Sequence, residues 1–168
     1  MRIGVISDTH SGGQIPPRVF QVFSGVDLIL HAGDLVAPLV LTALEKTAPV
    51  RAVYGNMDPA SLQFDLPQKQ TIEAGGMRLG LIHGHYVPNP NAVLGRPIDY
   101  DRLHAYLLSE FAAEEVACIV FGHTHQAHQE MHKKVLMFNP GSPTRARPAT
   151  VGLMAVEGGR ITAEIVEL

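Results

Sequence analysis

Five short apolar runs in this chain each end at a residue that can donate an oxygen or imidazole ligand. Ile3-Gly4-Val5-Ile6 leads to Asp8-Thr9-His10, and Leu28-Ile29-Leu30 leads to Gly33-Asp34. Ala52-Val53-Tyr54 leads to Gly55-Asn56-Met57-Asp58, and Leu79-Gly80-Leu81-Ile82 leads to His83-Gly84-His85. Cys118-Ile119-Val120-Phe121 leads to Gly122-His123-Thr124-His125. Short unbroken apolar runs of this kind read as buried parallel strands, and α/β folds place ligand sites at the carboxyl ends of such strands. If the strands pair side by side, five ligand groups converge on one edge. Asp, Asn and His without a thiolate suit borderline or harder divalent metals.

The remaining pattern organises these runs. The first half alternates strand and helix: a strand to Ser7, a helix around Arg18–Phe23, a strand Leu28–His31, a helix Pro38–Lys46 and a strand Val50–Tyr54. That alternation predicts parallel βαβ units. The second half changes character. Gln70–Glu73 alternates, Gly75-Gly76 reads as a hairpin turn, and Arg78–His83 follows. A helix is expected from about Tyr100 to Glu115. Strands are expected at Lys134–Phe138, Thr150–Val156 and Arg160–Val166, the last two joined at Gly158-Gly159. Pro88–Pro97 reads as a loop over the site rim, and Pro140–Pro148 as a second loop carrying Arg145 and Arg147. A chain of 168 residues without repeats or charge blocks is expected to form one domain over 1–168.

Composition narrows the class. A net charge of −3 and a pI near 6.3 give no footprint for nucleic acid. No stretch is long and apolar enough to span a bilayer. Met1–Ile6 is too short for a signal peptide, and the lone Cys118, read as a small buried core residue, has no internal partner. Both predict a cytoplasmic location.

Each candidate ligand has a plainer alternative. Asp8 and His10, in the turn after the first strand, can reach one ion, or Asp8 caps the next segment. Asp34 follows a glycine that lets the backbone approach closely, so its two oxygens can bridge two metals. Asn56 offers a neutral amide oxygen or is a turn residue. His83 and His123 each end an apolar run, His125 sits two beyond His123, and three such histidines beside two carboxylates favour ligation. His31 supports the site or is a satisfied strand-end residue, and His104, His128 and His132 read as solvated.

Charge supports a two-metal site. Two divalent cations bring about +4, Asp8 and Asp34 about −2, and a bridging hydroxide leaves about +1 to attract a phosphate and offset charge growing in its transition state. Two ions about 3.5–4 Å apart also lower the pKa of the water between them. No Ser/His/Asp spacing, reactive-cysteine context or phosphate loop competes with this.

The ordered set Asp-x-His, Gly-Asp, Gly-Asn-x-Asp, His-Gly-His and Gly-His-x-His resembles the calcineurin-like metallophosphoesterase superfamily. The chain length, the Gly-Asn-Met-Asp variant and Asn139-Pro140-Gly141-Ser142 resemble its small bacterial and archaeal phosphodiesterase branch. The resemblance runs from residue 2 to about 142. It implies an α/β fold with a two-sheet β-sandwich flanked by helices, in four layers. By position it implies that Asp8, His10, Asp34 and His125 hold one metal. Asp34, Asn56, His83 and His123 would hold the other, with Asp34 bridging. His85 would contact substrate or support the ligands, and Asp58 would support His10 or a backbone amide. The catalytic candidates are thus Asn56, His10, Asp58 and His85. The expected cofactors are two divalent ions, Mn²⁺ or Ni²⁺ first, then Zn²⁺ or Fe.

One departure bears on the substrate. Many members carry His after the Gly-Asn pair, where it acts as an acid or contacts the phosphate. Met57 stands there and cannot donate a proton. The expected reaction is therefore hydrolysis of a small phosphodiester, or an ester with a good leaving group, by attack of a metal-bridging hydroxide. Arg145 and Arg147 are in reach of a phosphate or are a solvated loop. Two alternatives stay open: a phosphomonoesterase or phosphoprotein phosphatase, and a non-catalytic scaffold resembling a eukaryotic retromer subunit of the same fold. The scaffold has a degraded ligand set, whereas all seven proposed ligands are present here. The expected partner is a small phosphate ester, with no nucleic acid or membrane; a homo-oligomer remains open.

Overall fold

The computed structural model describes residues 1–86 and 98–168. Strands β1 (Arg2–Ile6), β2 (Leu28–His31) and β3 (Val50–Ala52) run parallel in one sheet. Helices α1 (Pro17–Val22), α2 (Leu39–Glu45) and α3 (Ala60–Asp65) interleave with and follow them. The hairpin β4 (Lys69–Ala74) and β5 (Met77–Ile82) opens a second sheet. After it come α4 (Tyr100–Glu110), β6 (Cys118–Val120), β7 (Ala127–His132) and β8 (Val135–Pro140). The chain then returns to the first sheet through β9 (Thr150–Glu157) and β10 (Arg160–Glu167). The first sheet has the order β10-β9-β1-β2-β3 and the second β4-β5-β6-β8-β7.

Strand alternation builds the layers. Ile3 and Val5, Leu28 and Leu30, Leu79 and Leu81, and Cys118 and Val120 point between the sheets into one core. The alternate residues face the helices. Ile6 and Ile29 meet Val19, Phe23, Val40 and Leu44 from α1, the turn after it and α2. Ile82, Ile119 and Phe121 meet Leu103 and Leu107 of α4. Runs buried on both faces need no polar alternation, which is why they read as unbroken apolar stretches. The result is helices, sheet, sheet, helix, the four-layer α/β sandwich.

The five ligand-bearing strands do not share one edge. β1, β2 and β3 lie in the first sheet and β5 and β6 in the second. The candidate ligand loops therefore meet from two facing layers: β3 ends the first sheet as an edge strand, and β5 pairs with β4 and β6 in the second. Smaller differences follow from local chemistry. β3 ends at Ala52 rather than Tyr54, and α4 ends at Glu110, with turns to Glu115. The two Gly-Gly turns occur where expected, between β4 and β5 and between β9 and β10. The Pro88–Pro97 loop lies outside the described residues. Helix α3 and strand β7 were not anticipated.

His104 corrects the expectation of a solvated residue. It is 1 % exposed beneath α4, with its ring edge-on to Phe121. The Tyr100-His104-Leu107-Phe111 spacing turns it onto the apolar face that packs on the second sheet. His128 and His132 are half-buried in β7 against the same helix, so they too are not free in solvent.

Candidate metal centre

Backbone strain marks the ligand loops. Asp8, His10, Asp34, His123 and His125 all have positive φ, between 41° and 69°. For residues with a Cβ this left-handed conformation is costly, and it persists where surrounding structure over-determines it, as at functional sites. Here each strand stops and the chain turns back at once, so the ligand side chains point into the gap between the strand ends.

Two glycines set the closeness of the loops. A Cβ on Gly122 would overlap the Ser7 hydroxyl and the Asp8 carboxylate. A Cβ on Gly55 would overlap the Asp34 carboxylate. The Gly-His and Gly-Asn pairs therefore let the third and fifth loops lie directly on the two carboxylates.

Four ligand atoms cluster. One atom each from Asp8, His10, Asp34 and His125 lies within 4.8 Å of the others. His10 Nε2 is 3.0 Å from His125 Nε2 and 3.6 Å from Asp34 Oδ2. His125 Nε2 is 3.3 Å from Asp8 Oδ1. Two imidazole nitrogens and two carboxylate oxygens aimed at one point are the donor set a divalent cation takes.

A second group approaches the same oxygen of Asp34, Oδ2. The Nδ1–H of His83 donates to the carbonyl of Ala32 at 2.7 Å, a bond that leaves Nε2 with a free lone pair. That nitrogen is 3.3 Å from Asp34 Oδ2 but poorly aligned for a hydrogen bond. The His123 ring stands edge-on to His83, with centroids 5.3 Å apart. The Asn56 loop covers Asp34, whose Oδ1 accepts the Met57 amide at 2.8 Å. Asn56 itself is exposed on that loop, so its side chain is beside the group rather than locked into it.

Unsatisfied atoms test whether metals fit. Asp8 Oδ1 and His83 Nε2 are buried without a hydrogen-bond partner. Buried polar atoms are normally satisfied, and two orphans facing neighbouring ligands are what metal coordination would account for. The protonation states agree. Burial alone would raise Asp34, but His83 and the Met57 amide hold it down at about 2. Burial lowers His10 and His123 below the ordinary imidazole range, leaving them neutral lone-pair donors. Burial also acts to lower His83, yet its Asp34 contact and the field of Asp8 turn the net shift upward, so metal uptake competes with a proton there.

Supporting residues hold this arrangement, and most are invisible as motifs. The Asp58 carboxylate accepts three amides: Asp34 at 3.0 Å, Val36 at 2.6 Å and Gly55 at 2.8 Å. It ties the second loop to the third and makes no contact with His10, so of the two anticipated supports it serves the backbone amide. Ser142 donates to the Asp8 carbonyl at 2.8 Å, and Thr144 to the Thr9 carbonyl at 2.7 Å. Asn139 donates to the Gly122 carbonyl at 2.9 Å and to Thr124 at 3.0 Å. The Asn139–Ser142 run is thus a brace beneath the first and fifth loops. His31 is a support as well: its Nδ1 accepts the Gly33 amide at 3.2 Å and its Nε2 meets the Thr9 hydroxyl at 3.2 Å.

His85 sits at the mouth. Its ring is 5.3 Å from His83 and 6.4 Å from His123, and its Nδ1 is buried without a partner. Burial, then the neighbouring His83 and His123, push it down to about 4. Met57 is 58 % exposed on the same rim. Arg145 and Arg147, both exposed, line a groove of about 360 Å³ that begins at His125.

A two-sheet sandwich whose strand ends gather His and Asp donors around one carboxylate defines a metal-site α/β protein. The sequence pattern of the calcineurin-like phosphoesterase superfamily domain matches residues 1–159. A probable metallophosphoesterase of Methanothermobacter thermautotrophicus is 40 % identical over 171 residues, covering 99 % of this chain and 92 % of its own. A phosphodiesterase of Methanocaldococcus jannaschii is 26 % identical, covering 84 % of this chain and 83 % of its own. Among solved structures, Entamoeba histolytica Vps29 complexed with Zn²⁺ superposes with a TM-score of 0.74 at 22 % identity, covering 99 % of each chain. The chain belongs to the calcineurin-like phosphoesterase superfamily.

Proposed function

We propose that this protein is a metal-dependent phosphodiesterase, a single domain over 1–168 that cleaves a small phosphodiester at a dinuclear centre in the cytoplasm. Asp8, His10, Asp34 and His125 would hold one ion, and Asp34, Asn56, His83 and His123 the other. The observation that carries the reading is the pair of buried orphan atoms, Asp8 Oδ1 beside His125 and His83 Nε2 beside Asp34. The donor set, three carboxylate or amide oxygens and four imidazoles, fits Mn²⁺ or Ni²⁺ and admits Zn²⁺ or Fe.

Bound there, divalent ions supply Lewis acidity and an acidified water near neutral pH. The chain's own residues do the rest. Asp34 is held ionised by its neighbours and lies between the two groups. The Ala32 carbonyl fixes the tautomer of His83. His85, neutral and at the mouth, is placed to accept or donate a hydrogen bond to a phosphate oxygen. Arg145 and Arg147 offer guanidinium groups along the groove from His125, where the non-reacting arm of a diester would lie. Met57 offers no proton, so the leaving group must depart unaided, which favours diesters with acidic alcohols.

A non-catalytic scaffold shares this fold, but a scaffold has no need of strained, mutually facing ligands. The test is hydrolysis of an activated aryl diester by chelator-stripped protein before and after Mn²⁺ is restored. The reading expects turnover only after restoration; full turnover in the metal-free protein excludes it.

A further inference from the structure

A separate cluster of metal-type donors lies between α4 and the edge strand β7. His128, Glu130 and His132 alternate along β7, so all three face the same side of the sheet. His104 descends on them from α4. Ligand atoms of His104, Glu130 and His132 lie within 4.8 Å of one another. The His104 ring is 5.2 Å from that of His132 and 5.1 Å from that of His128. His128 Nε2 is 3.4 Å from Glu130 Oε2, and its ring stacks on Tyr100 at 3.8 Å.

The second observation concerns hydrogen bonding. His104 is 1 % exposed, yet among the described residues neither of its ring nitrogens has a hydrogen-bond partner, and His128 Nε2 is likewise buried and unpartnered. An imidazole enclosed with both nitrogens idle costs free energy unless something takes a lone pair. Burial, followed by the field of His128, holds His104 below its ordinary range, so the ring enters the cluster as a neutral donor.

This cluster is not part of the centre described above. β7 runs antiparallel to β8, with His128 opposite Asn139, Glu130 opposite Met137 and His132 opposite Val135. The cluster therefore runs down the strand from the ligand edge, on the helix-facing side of the second sheet.

We infer that His104, Glu130 and His132, with His128 as the fourth donor, form a second metal site for a zinc-type divalent cation. Three imidazoles and one carboxylate are a ligand set zinc takes in tetrahedral geometry. Tetrahedral zinc spaces its ligand atoms about 3.3 Å apart, so binding would draw together the three donors now within 4.8 Å of one another and bring in His128 Nε2, which lies 3.4 Å from Glu130. All four positions are filled by side chains, which makes the site structural rather than catalytic. Its effect is to pin α4, which already packs its apolar face around Leu103 and Leu107 on the sheet and pairs Glu110 with Lys69 of β4 at the far edge, to the edge strand β7 as well.

The test uses protein carrying Asp8→Ala and Asp34→Ala, in which the phosphoesterase centre is disabled. Chelator-stripped protein is incubated with Zn²⁺, desalted, and its zinc counted by mass spectrometry. The site predicts a single retained equivalent that disappears when His132→Ala or Glu130→Gln is added. It also predicts that Zn²⁺ raises the melting temperature of the first protein and not of the second. His132 and Glu130 are partly exposed, so these variants fold, and circular dichroism verifies it. In the otherwise native protein, His132→Ala should remove one metal equivalent and leave diester turnover unchanged. An unchanged zinc count when His132→Ala is added, or no zinc in the Asp8→Ala/Asp34→Ala protein, overturns the inference. The paired proteins share whatever zinc the remaining histidines of the phosphoesterase centre retain, so the difference between them reports the β7 site alone.

Discussion

Asp58 accepts the backbone amide of Asp34 at 3.0 Å, and the same oxygen accepts Gly55 at 2.8 Å. One buried carboxylate thereby fixes the candidate bridging residue and the loop that covers it. Its other oxygen takes the Val36 amide at 2.6 Å, so both of its oxygens are committed to main chain. This is positioning by geometry, and it predicts a particular pattern of damage.

Asp58→Asn should be nearly as harmful as Asp58→Ala. An amide nitrogen would face an N–H donor, and the orphaned amides would cost on the order of 2–4 kcal/mol. Denaturant unfolding should show that loss, and metal affinity should fall with it, although Asp58 touches no proposed ion. An Asp58→Asn protein with native stability and metal content would show that the three amide bonds are dispensable.

His83→Ala should lose metal from one site. His85→Ala should keep its metal content and lose mainly turnover. The reason lies in their surroundings: His83 is fully enclosed with its tautomer set by Ala32, while His85 is half-buried at the mouth. Metal counting with kcat on both variants decides it, and the reverse pattern would exchange their roles.

His31 gives a pH dependence with a definite sign. Complete burial pushes its imidazole down to about 3 in the folded chain, against about 6.5 unfolded. Between those values the unfolded state binds the proton and the folded state does not. Stability is therefore full above pH 6.5 and falls as pH drops toward 3, by up to about 1.4 kcal/mol per pH unit from this group. Unfolding of metal-free protein at pH 7.5 and pH 5.5, compared with His31→Gln, should show a shallower slope in the variant. An equal slope would mean that His31 protonates freely in the folded protein.

Met57 bears on substrate class. A positioned acid contributes typically 10²–10⁴-fold to departure of a poor leaving group, and the exposed Met57 supplies none. The ratio of kcat/KM for an aryl diester over the monoester of the same alcohol should favour the diester. Met57→His should narrow that ratio by raising the monoester rate. A native preference for the monoester would point to His10, His85 or an arginine as the acid.

These residues also show where sequence reading reaches. Apolar runs ending in Asp or His located β1, β2, β5 and β6 because a strand buried on both faces has no other composition to show. β7 went unseen because an edge strand pairs through its backbone, and Ala-His-Gln-Glu-Met-His carries no apolar alternation. Side-chain chemistry and spacing single out the candidate donors, and the structure brings Asp8, His10, Asp34 and His125 together. Their grouping across two sheets was not legible, since nothing local tells β3 from β5 as a partner for β2. Ser142 and Thr144 hold carbonyls more than a hundred residues away, a relation that no local pattern encodes. His104 looked like a surface residue because its burial depends on which face of α4 meets the sheet.

Asp34 is the residue the two proposed metal groups share: its Oδ2 lies 3.6 Å from His10 and 3.3 Å from His83, one histidine of each group, while Oδ1 is taken by the Met57 amide, so one oxygen rather than two would bridge. The most direct test is Mn²⁺ content, by mass spectrometry after reloading and desalting, of Asp34→Ala against the native protein, with diester turnover measured on the same samples. Shared ligation predicts that this one substitution depletes both ions and abolishes turnover together. Two retained ions with near-native kcat would contradict it.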